Sequence, residues 1–299
     1  MVIETEDFLS AEAFLDALGR REKRWDGSPS DWIFRGHAEF DWSLVPAALR
    51  PGVAFQYAPS KVLMPGATHA KQVNAELQAV TEFLKELDLY GHPPPQPGLE
   101  NWTSWISALG EMARARRLQW PPPSVRPLLA LAQHHGIPTR LLDWTARPHV
   151  AAFFAARDAL VRSENGVQNS DRLAVWAMRT RARAISYLGG SVRLETVHPW
   201  RHANPNLHAQ DGLFTLLSDN AWKDDDAPDP SALEIIIPDQ ITQHYTVSSI
   251  PCLLIKLVLP ISEAGRLLRL LNDEWTNSAK LFPGIDGVVS SMTDRRFWK

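Results

Sequence analysis

The passage Ala132-Gln133-His134-His135-Gly136-Ile137-Pro138-Thr139-Arg140-Leu141-Leu142-Asp143-Trp144-Thr145 decides how the chain is read. Upstream of it, Leu128, Leu129, Leu131 and Ala132 have helical spacing; Ser124 is the expected N-cap and Gly136 the stop. Pro138–Asp143 then reads as a strand or extended turn. Beyond it, Pro148–Leu160 is apolar on nearly every side (Val150, Ala151, Ala152, Phe153, Phe154), which predicts a buried helix. Histidine, arginine, aspartate and threonine are threaded between these two apolar helices, as in the wall of a site. The same groups could instead serve structure: Asp143 or Thr145 as a cap for the second helix, Arg140 as a partner for Asp143.

Working outward, helices dominate the N-terminal side of this passage. Ser10 is placed to cap a helix over Ala11–Arg24, and Val73, Leu77, Val80, Leu84 and Leu87 form the apolar stripe of a helix over Lys71–Tyr90. A further helix is expected over Ser104–Leu118. Proline runs at 93–97 and 121–123 bracket this part, which reads as a helical insertion over residues 71–120. Asp31–Gly36 reads as a short strand ending at glycine. On the C-terminal side strands prevail: Leu173–Met178, Ser191–Thr196, Leu213–Leu217, Leu233–Ile237 and Cys252–Leu259, followed by helices over Ile261–Asn272 and Asn277–Leu281. That order argues for an α+β fold with a mixed or antiparallel sheet, not a doubly wound parallel one.

Composition narrows the function. The chain has 299 residues, with 44% apolar and 22% charged, so it holds enough apolar surface to fold without staples and disorder is excluded as its main state. Cys252 stands alone, which removes an internal disulfide and a cysteine-based zinc site. No apolar run approaches the roughly 18 residues of a membrane span. Met1–Ser10 carries Glu4, Glu6 and Asp7 where a secretory leader would be basic and apolar, so a cytoplasmic setting is expected. The net charge of -3 does not favour general nucleic-acid binding. Arg179, Arg181 and Arg183, with Arg114, Arg116 and Arg117, read as solvated faces or as parts of a basic groove; Asp224-Asp225-Asp226 weighs against the groove. His198 and His202, with His208 close by, do not form a recognised metal-ligand pattern, and no metal is expected. P-loop, G-x-G-x-x-G, H-E-x-x-H and G-x-S-x-G signatures are all missing from the sequence.

What remains is Phe34-Arg35-Gly36-His37. An arginine closing an apolar strand needs an anion to hold or a carboxylate across the sheet end, and both readings stand. The glycine would let a ligand approach the backbone.

These segments together resemble the FRG-domain family, named for its Phe/Tyr-Arg-Gly motif. The resemblance rests on Phe34-Arg35-Gly36; on Trp42-Ser43-Leu44-Val45-Pro46 with Arg50; and on Gln133–Thr145 leading into Ala151–Ala155. It continues through Gln210-Asp211-Gly212-Leu213-Phe214 and Leu281–Gly287, and would make residues 1–299 one FRG-like domain. The family's layout is similar to that of ADP-ribosyltransferases, whose NAD site begins with a strand carrying Arg or His before Gly. There a second strand runs into a buried helix and a third begins at the catalytic residue. The resemblance implies an α+β fold like that of an ADP-ribosyltransferase, with a mixed or antiparallel sheet core and a helical insertion. It implies NAD as a substrate, a protein or RNA acceptor, an antitoxin or chaperone as a possible partner, and a role as an intracellular toxin or anti-phage effector. Catalytic roles would fall to Arg35, Asp143 and Gln210. NAD contacts would come from Phe34, Arg35, Gly36, His37, His134, Thr139, Arg140, Asp143, Trp144 and Thr145. At the third-strand position, Gln210-Asp211-Gly212, the Glu-x-Glu or Gln-x-Glu pair of the transferases is missing, so Asp143, Asp211 or Glu195 would have to supply negative charge. The alternative is a non-catalytic module that binds a nucleotide or nucleic acid in the same cleft.

Overall fold

The computed structural model of the chain describes residues 3–19, 22–25, 31–50, 53, 69–93, 101–114, 120–180, 192–199, 204–219, 232–244 and 252–298. Its centre is a seven-stranded mixed sheet. The strands are β1 (Ile3–Asp7), β2 (Trp32–His37), β3 (Leu141–Thr145), β4 (Arg172–Arg179), β5 (Val192–Val197), β6 (Gly212–Asp219) and β7 (Leu254–Pro260), in the order β1-β7-β4-β2-β3-β6-β5. β1 runs parallel to β7, and all other neighbours are antiparallel.

The helices are α1 (Ala11–Ala17), α2 (His69–Leu89), α3 (Trp102–Arg114), α4 (Arg126–His134), α5 (Pro148–Glu164), α6 (Pro205–Ala209), α7 (Leu233–His244), α8 (Ala264–Asp273), α9 (Ser278–Leu281) and α10 (Ile285–Asp294). Alternation along the strands divides the core. Phe34, Val175, Ala177, Ile255 and Leu257 pack with α1, α5 and α8, whereas Ile33, Trp176, Met178 and Leu254 pack with Leu44 and with Leu233 and Ile237 of α7. The apolar stripe of α2 (Val73, Leu77, Val80, Leu84) joins Leu128 and Leu129 of α4, and together they cover Leu141, Phe214 and Leu216.

Several expectations need correction. α1 stops at Ala17 instead of Arg24, with a separate 3-10 turn at Lys23–Trp25; Ser10 does cap it, accepting from the Ala13 N–H. Ser124 does not cap α4; it sits in a 3-10 turn over Pro123–Val125, and α4 begins at Arg126. Leu233–Ile237, read as a strand, opens α7: Leu233, Ile236 and Ile237 are buried and Ile235 is exposed, which is helical spacing. β1, α6 and α10 were not expected. The Arg181–Arg183 stretch, Arg116 and Arg117, His202 and Asp224–Asp226 lie outside the described residues. Among the described residues, no helix is long and apolar enough to cross a membrane.

Candidate active site

β2 pairs with β4 along its whole length, but with β3 only at Phe34↔Thr145. Beyond that bridge the two strands part, and the side chain of Arg35 spans the gap. Its Nη1 donates to the Asp143 carbonyl oxygen at 2.9 Å and lies 3.5 Å from the Asp143 carboxylate. Its Nε donates to His37 Nε2 at 3.0 Å. A guanidinium always donates, so His37 must accept there. The neutral imidazole therefore carries its proton on Nδ1, which faces the Trp42 carbonyl oxygen at 3.2 Å. Burial pushes the His37 pKa well below its ordinary value, and the Arg35 charge pushes the same way. Burial also lowers the Arg35 pKa, opposed by Asp143; the charge of Arg50 adds to the lowering. Arg50 closes the 3-10 turn Ala47–Leu49, and its Nε donates to the Val45 carbonyl at 3.2 Å.

Asp143 is held on its other side by α4. Gln133 Nε2 donates to Asp143 Oδ2 at 2.8 Å, while Gln133 Oε1 accepts from the Thr139 N–H and from Thr139 Oγ1. One carboxamide thus fixes both the turn before β3 and the carboxylate within it. The Asp143 side chain keeps 51% of its surface exposed, against 18% for Arg35. A half-exposed carboxylate beside a mostly buried guanidinium can meet an incoming ligand with either sign of charge. His134, half-buried on the last turn of α4, has its pKa lowered by burial and by His135, with Asp143 opposing.

Other predicted residues serve structure. The Phe34 ring is buried against Trp25, edge to face. Gly36 faces α5: a Cβ there would stand 2.1 Å from the Ala151 carbonyl oxygen, so it is helix backbone, not a ligand, that approaches the glycine. Arg140 does not pair with Asp143. It is buried and doubly bonded to Glu76, whose carboxylate also accepts from Trp120 Nε1 and Gln72 Nε2. Trp144 Nε1 donates to Thr215 Oγ1 at 2.8 Å inside the core. Thr145 Oγ1 donates to the Gln210 carbonyl at 2.6 Å and accepts from the Arg147 N–H just before α5. The Gln210 carboxamide donates to the Leu281 carbonyl. Glu195 is bonded to Arg126, away from the β2–β3 gap.

The residues gathered around the gap are therefore Arg35, His37, Asp143, Gln133 and Thr139, with His134 and Arg50 at its margin. Gln133 belongs to the polar passage but carries no site role in the sequence reading; its signal is an amide on the last turn of an apolar helix, at the head of that passage. Glu76 gave a similar signal, being a carboxylate flanked by Val73, Leu77 and Val80 on the stripe of α2. Among the described residues, no three histidine, cysteine or acidic side chains gather as a metal site would require.

Residues 30–164 match the sequence model of the FRG domain, a span that contains β2, α2 to α4, β3 and α5. No curated protein and no solved structure matches the chain.

Proposed function

The chain carries an FRG domain over residues 30–164, and from that premise we propose that it is an NAD-dependent ADP-ribosyltransferase working at the β2–β3 gap. The observation that carries this reading is the grip of Arg35 on Asp143 across that gap. It puts a cation suited to a diphosphate beside a carboxylate suited to a positively charged ribose. Support also comes from the sheet order. Strand β2 with its arginine, strand β3 running into buried α5, and strand β6 starting after Gln210 are consecutive neighbours.

In the proposed reaction the bond between the nicotinamide nitrogen and the ribose anomeric carbon breaks, and the electron pair leaves with nicotinamide. An acceptor nucleophile on protein or RNA bonds to that carbon and gives up its proton. Asp143 stabilises the oxocarbenium character of the transition state, and Arg35 holds the phosphates. His37, kept neutral, orients Arg35. In this reading residues 1–299 act as one domain, with residues 71–120 as its helical insertion, and the protein is a cytoplasmic toxin or anti-phage effector, restrained by an antitoxin or chaperone.

A second reading is favoured by one observation. Gln210 is uncharged and its carboxamide is committed to the Leu281 carbonyl, so Gln210 supplies no negative charge for turnover. On that reading the gap binds a nucleotide or a nucleic-acid end without reaction. The test is incubation of the full chain with NAD and a cell lysate, following nicotinamide release and transferred label on protein and on RNA. Release that vanishes in Arg35→Ala supports the transferase. Binding without release, steeply weakened by salt, supports the module. If the protein neither binds nor consumes NAD, the transferase reading fails.

A further inference from the structure

Strands β2, β4 and β7 lie side by side, and their register sets Arg35, Trp176 and Lys256 in one row, Arg35 opposite Trp176 and Trp176 opposite Lys256. Residues directly opposite share a face of the sheet, so both cations stand on the side away from α5. Two strand spacings, about 10 Å, separate their backbones. The Lys256 ammonium lies 4.8 Å from the centre of the Phe40 ring and 4.8 Å from that of Trp176. It is half-buried, yet among the described residues it makes no hydrogen bond and no ion pair. Burial lowers its pKa; the charges of Glu234 and Asp41 oppose this and that of Arg172 adds to it. Glu234 is committed to the Leu44 N–H, and Asp41 is exposed. Beside the ammonium, Trp176 Nε1 is buried with no acceptor. Arg50 likewise has no carboxylate partner among the described residues. The charges of Arg35, Lys256 and Arg50 all act on His37, which stays neutral. Three cations therefore gather round one ring, and Arg35 is the one with a carboxylate at its side. A lysine is rarely withdrawn from water without a partner, because its charge and its three N–H donors then go unmet.

We propose that Lys256 binds one phosphate of a nucleotide diphosphate whose other phosphate is held by Arg35, with Arg50 at the open edge. The inference rests on the reading of the β2–β3 gap as a dinucleotide site. The two rings fix the ammonium in place without neutralising it. A carboxylate or a single phosphate would satisfy one of the two cations in the row and leave the other as it stands. A diphosphate carries acceptor oxygens on both sides of one bridging oxygen and meets both. Charge-assisted bonds of this kind are the strong ones. Lys256 lies on β7, beyond the matched residues 30–164, so the C-terminal strands complete a site that the family segment begins. Its mark in the sequence is one lysine inside the otherwise apolar β7, LIKLVLP.

The test is calorimetric titration of the full chain with inorganic pyrophosphate, with orthophosphate as the comparison. Lys256→Met keeps an apolar stem against Phe40 and Trp176 but has no charge; Lys256→Arg keeps the charge. Pyrophosphate is expected to bind the parent about tenfold or more tightly than orthophosphate. Lys256→Met weakens pyrophosphate binding about ten- to hundredfold, the effect of losing one charged hydrogen-bond donor, and Lys256→Arg recovers part of it. Without ligand, Lys256→Met melts at or above the temperature of the parent, because a charge withdrawn from water is gone. A fall in that temperature would mark Lys256 as a structural residue and overturn the proposal. So would orthophosphate bound as tightly as pyrophosphate, a parent that binds neither, or a Lys256→Met that binds as the parent does. Failure here is separable from failure of the transferase reading. Lys256-dependent binding of pyrophosphate in a chain that releases no nicotinamide keeps this site and removes the transferase. Nicotinamide release unimpaired in Lys256→Met keeps the transferase and removes this site.

Discussion

Arg35 reaches from β2 to the backbone of β3, donating to the Asp143 carbonyl oxygen at 2.9 Å where strand pairing has already stopped after Phe34↔Thr145. A side chain thus occupies the place of a ladder hydrogen bond. The same guanidinium stands 3.5 Å from the Asp143 carboxylate, which Gln133 holds from the α4 side. Both residues remain partly open to solvent. This combination separates a site from a simple brace across a sheet end, because a brace needs no exposed carboxylate.

Arg35→Lys is expected to lose most NAD-dependent activity, and Arg35→Ala about 10²-fold or more, as for removal of a single transition-state donor. A lysine ammonium is a point charge and cannot serve His37, the Asp143 carbonyl and a ligand at once. Initial rates of nicotinamide release measure both. Activity in Arg35→Lys equal to that of the parent would remove Arg35 from the site.

His37 makes stability depend on pH in a definite direction. Its folded pKa lies well below the ordinary value of 6.5, because burial and Arg35 disfavour the charged ring. The unfolded chain therefore binds a proton that the folded one refuses. This contribution is fully present above pH 6.5 and is lost as pH falls from there toward the folded pKa, with a slope of at most about 1.4 kcal/mol per pH unit. Urea unfolding at a series of pH values should show that slope in the parent and a smaller one in His37→Gln. Equal slopes would refute the assignment.

Much of this arrangement is legible in the sequence, and the failures share a cause. α5 and the strand that closes on Arg35 were readable because Phe34, Val150–Phe153 and Leu141–Leu142 are apolar where the core needs them. α10 was invisible because its apolar residues face water, and its core side is Gly287, Ser291 and Asp294. β1 gives no strand signal in the sequence because it lies at the sheet edge and is mostly acidic, IETED. The sequence of α7 reads as a strand because Ile235-Ile236-Ile237 has β-branched chemistry, and only packing against Leu44 and Trp176 selects helical spacing. At the site, the density of polar groups in residues 133–145 was informative. Their division of labour was not, because nothing local assigns Asp143 to Arg35 and Arg140 to Glu76.

That division makes a stability prediction. The Arg140–Glu76 pair is nearly solvent-free, with side-chain exposures of 6% and 1%, and the Glu76 carboxylate also serves Trp120 and Gln72. Glu76→Ala would leave a buried guanidinium unpaired, a loss of about 3–5 kcal/mol. The double replacement Glu76→Leu with Arg140→Met should recover most of it, since an apolar pair leaves no stranded charge. Chemical denaturation of the single and double variants measures this. A double variant as unstable as Glu76→Ala would mean that the hydrogen bonds to Trp120 and Gln72 matter more than the charge.

Gly36 offers the last and simplest test, because sequence and structure give it different jobs. A ligand-facing glycine would tolerate a methyl group at the expense of binding alone. In the structure its missing side chain is what lets α5 lie on β2: a Cβ would stand 2.1 Å from the Ala151 carbonyl oxygen and 2.8 Å from the Ala155 nitrogen. Both are backbone atoms of a helix that is itself packed against β4 and α8, so neither can step aside without moving the whole element. Gly36→Ala is therefore expected to cost about 1–3 kcal/mol, the range for overpacking a tight core. It should lower the melting temperature in the absence of any nucleotide. A variant with parental stability and impaired NAD binding would return Gly36 to the ligand.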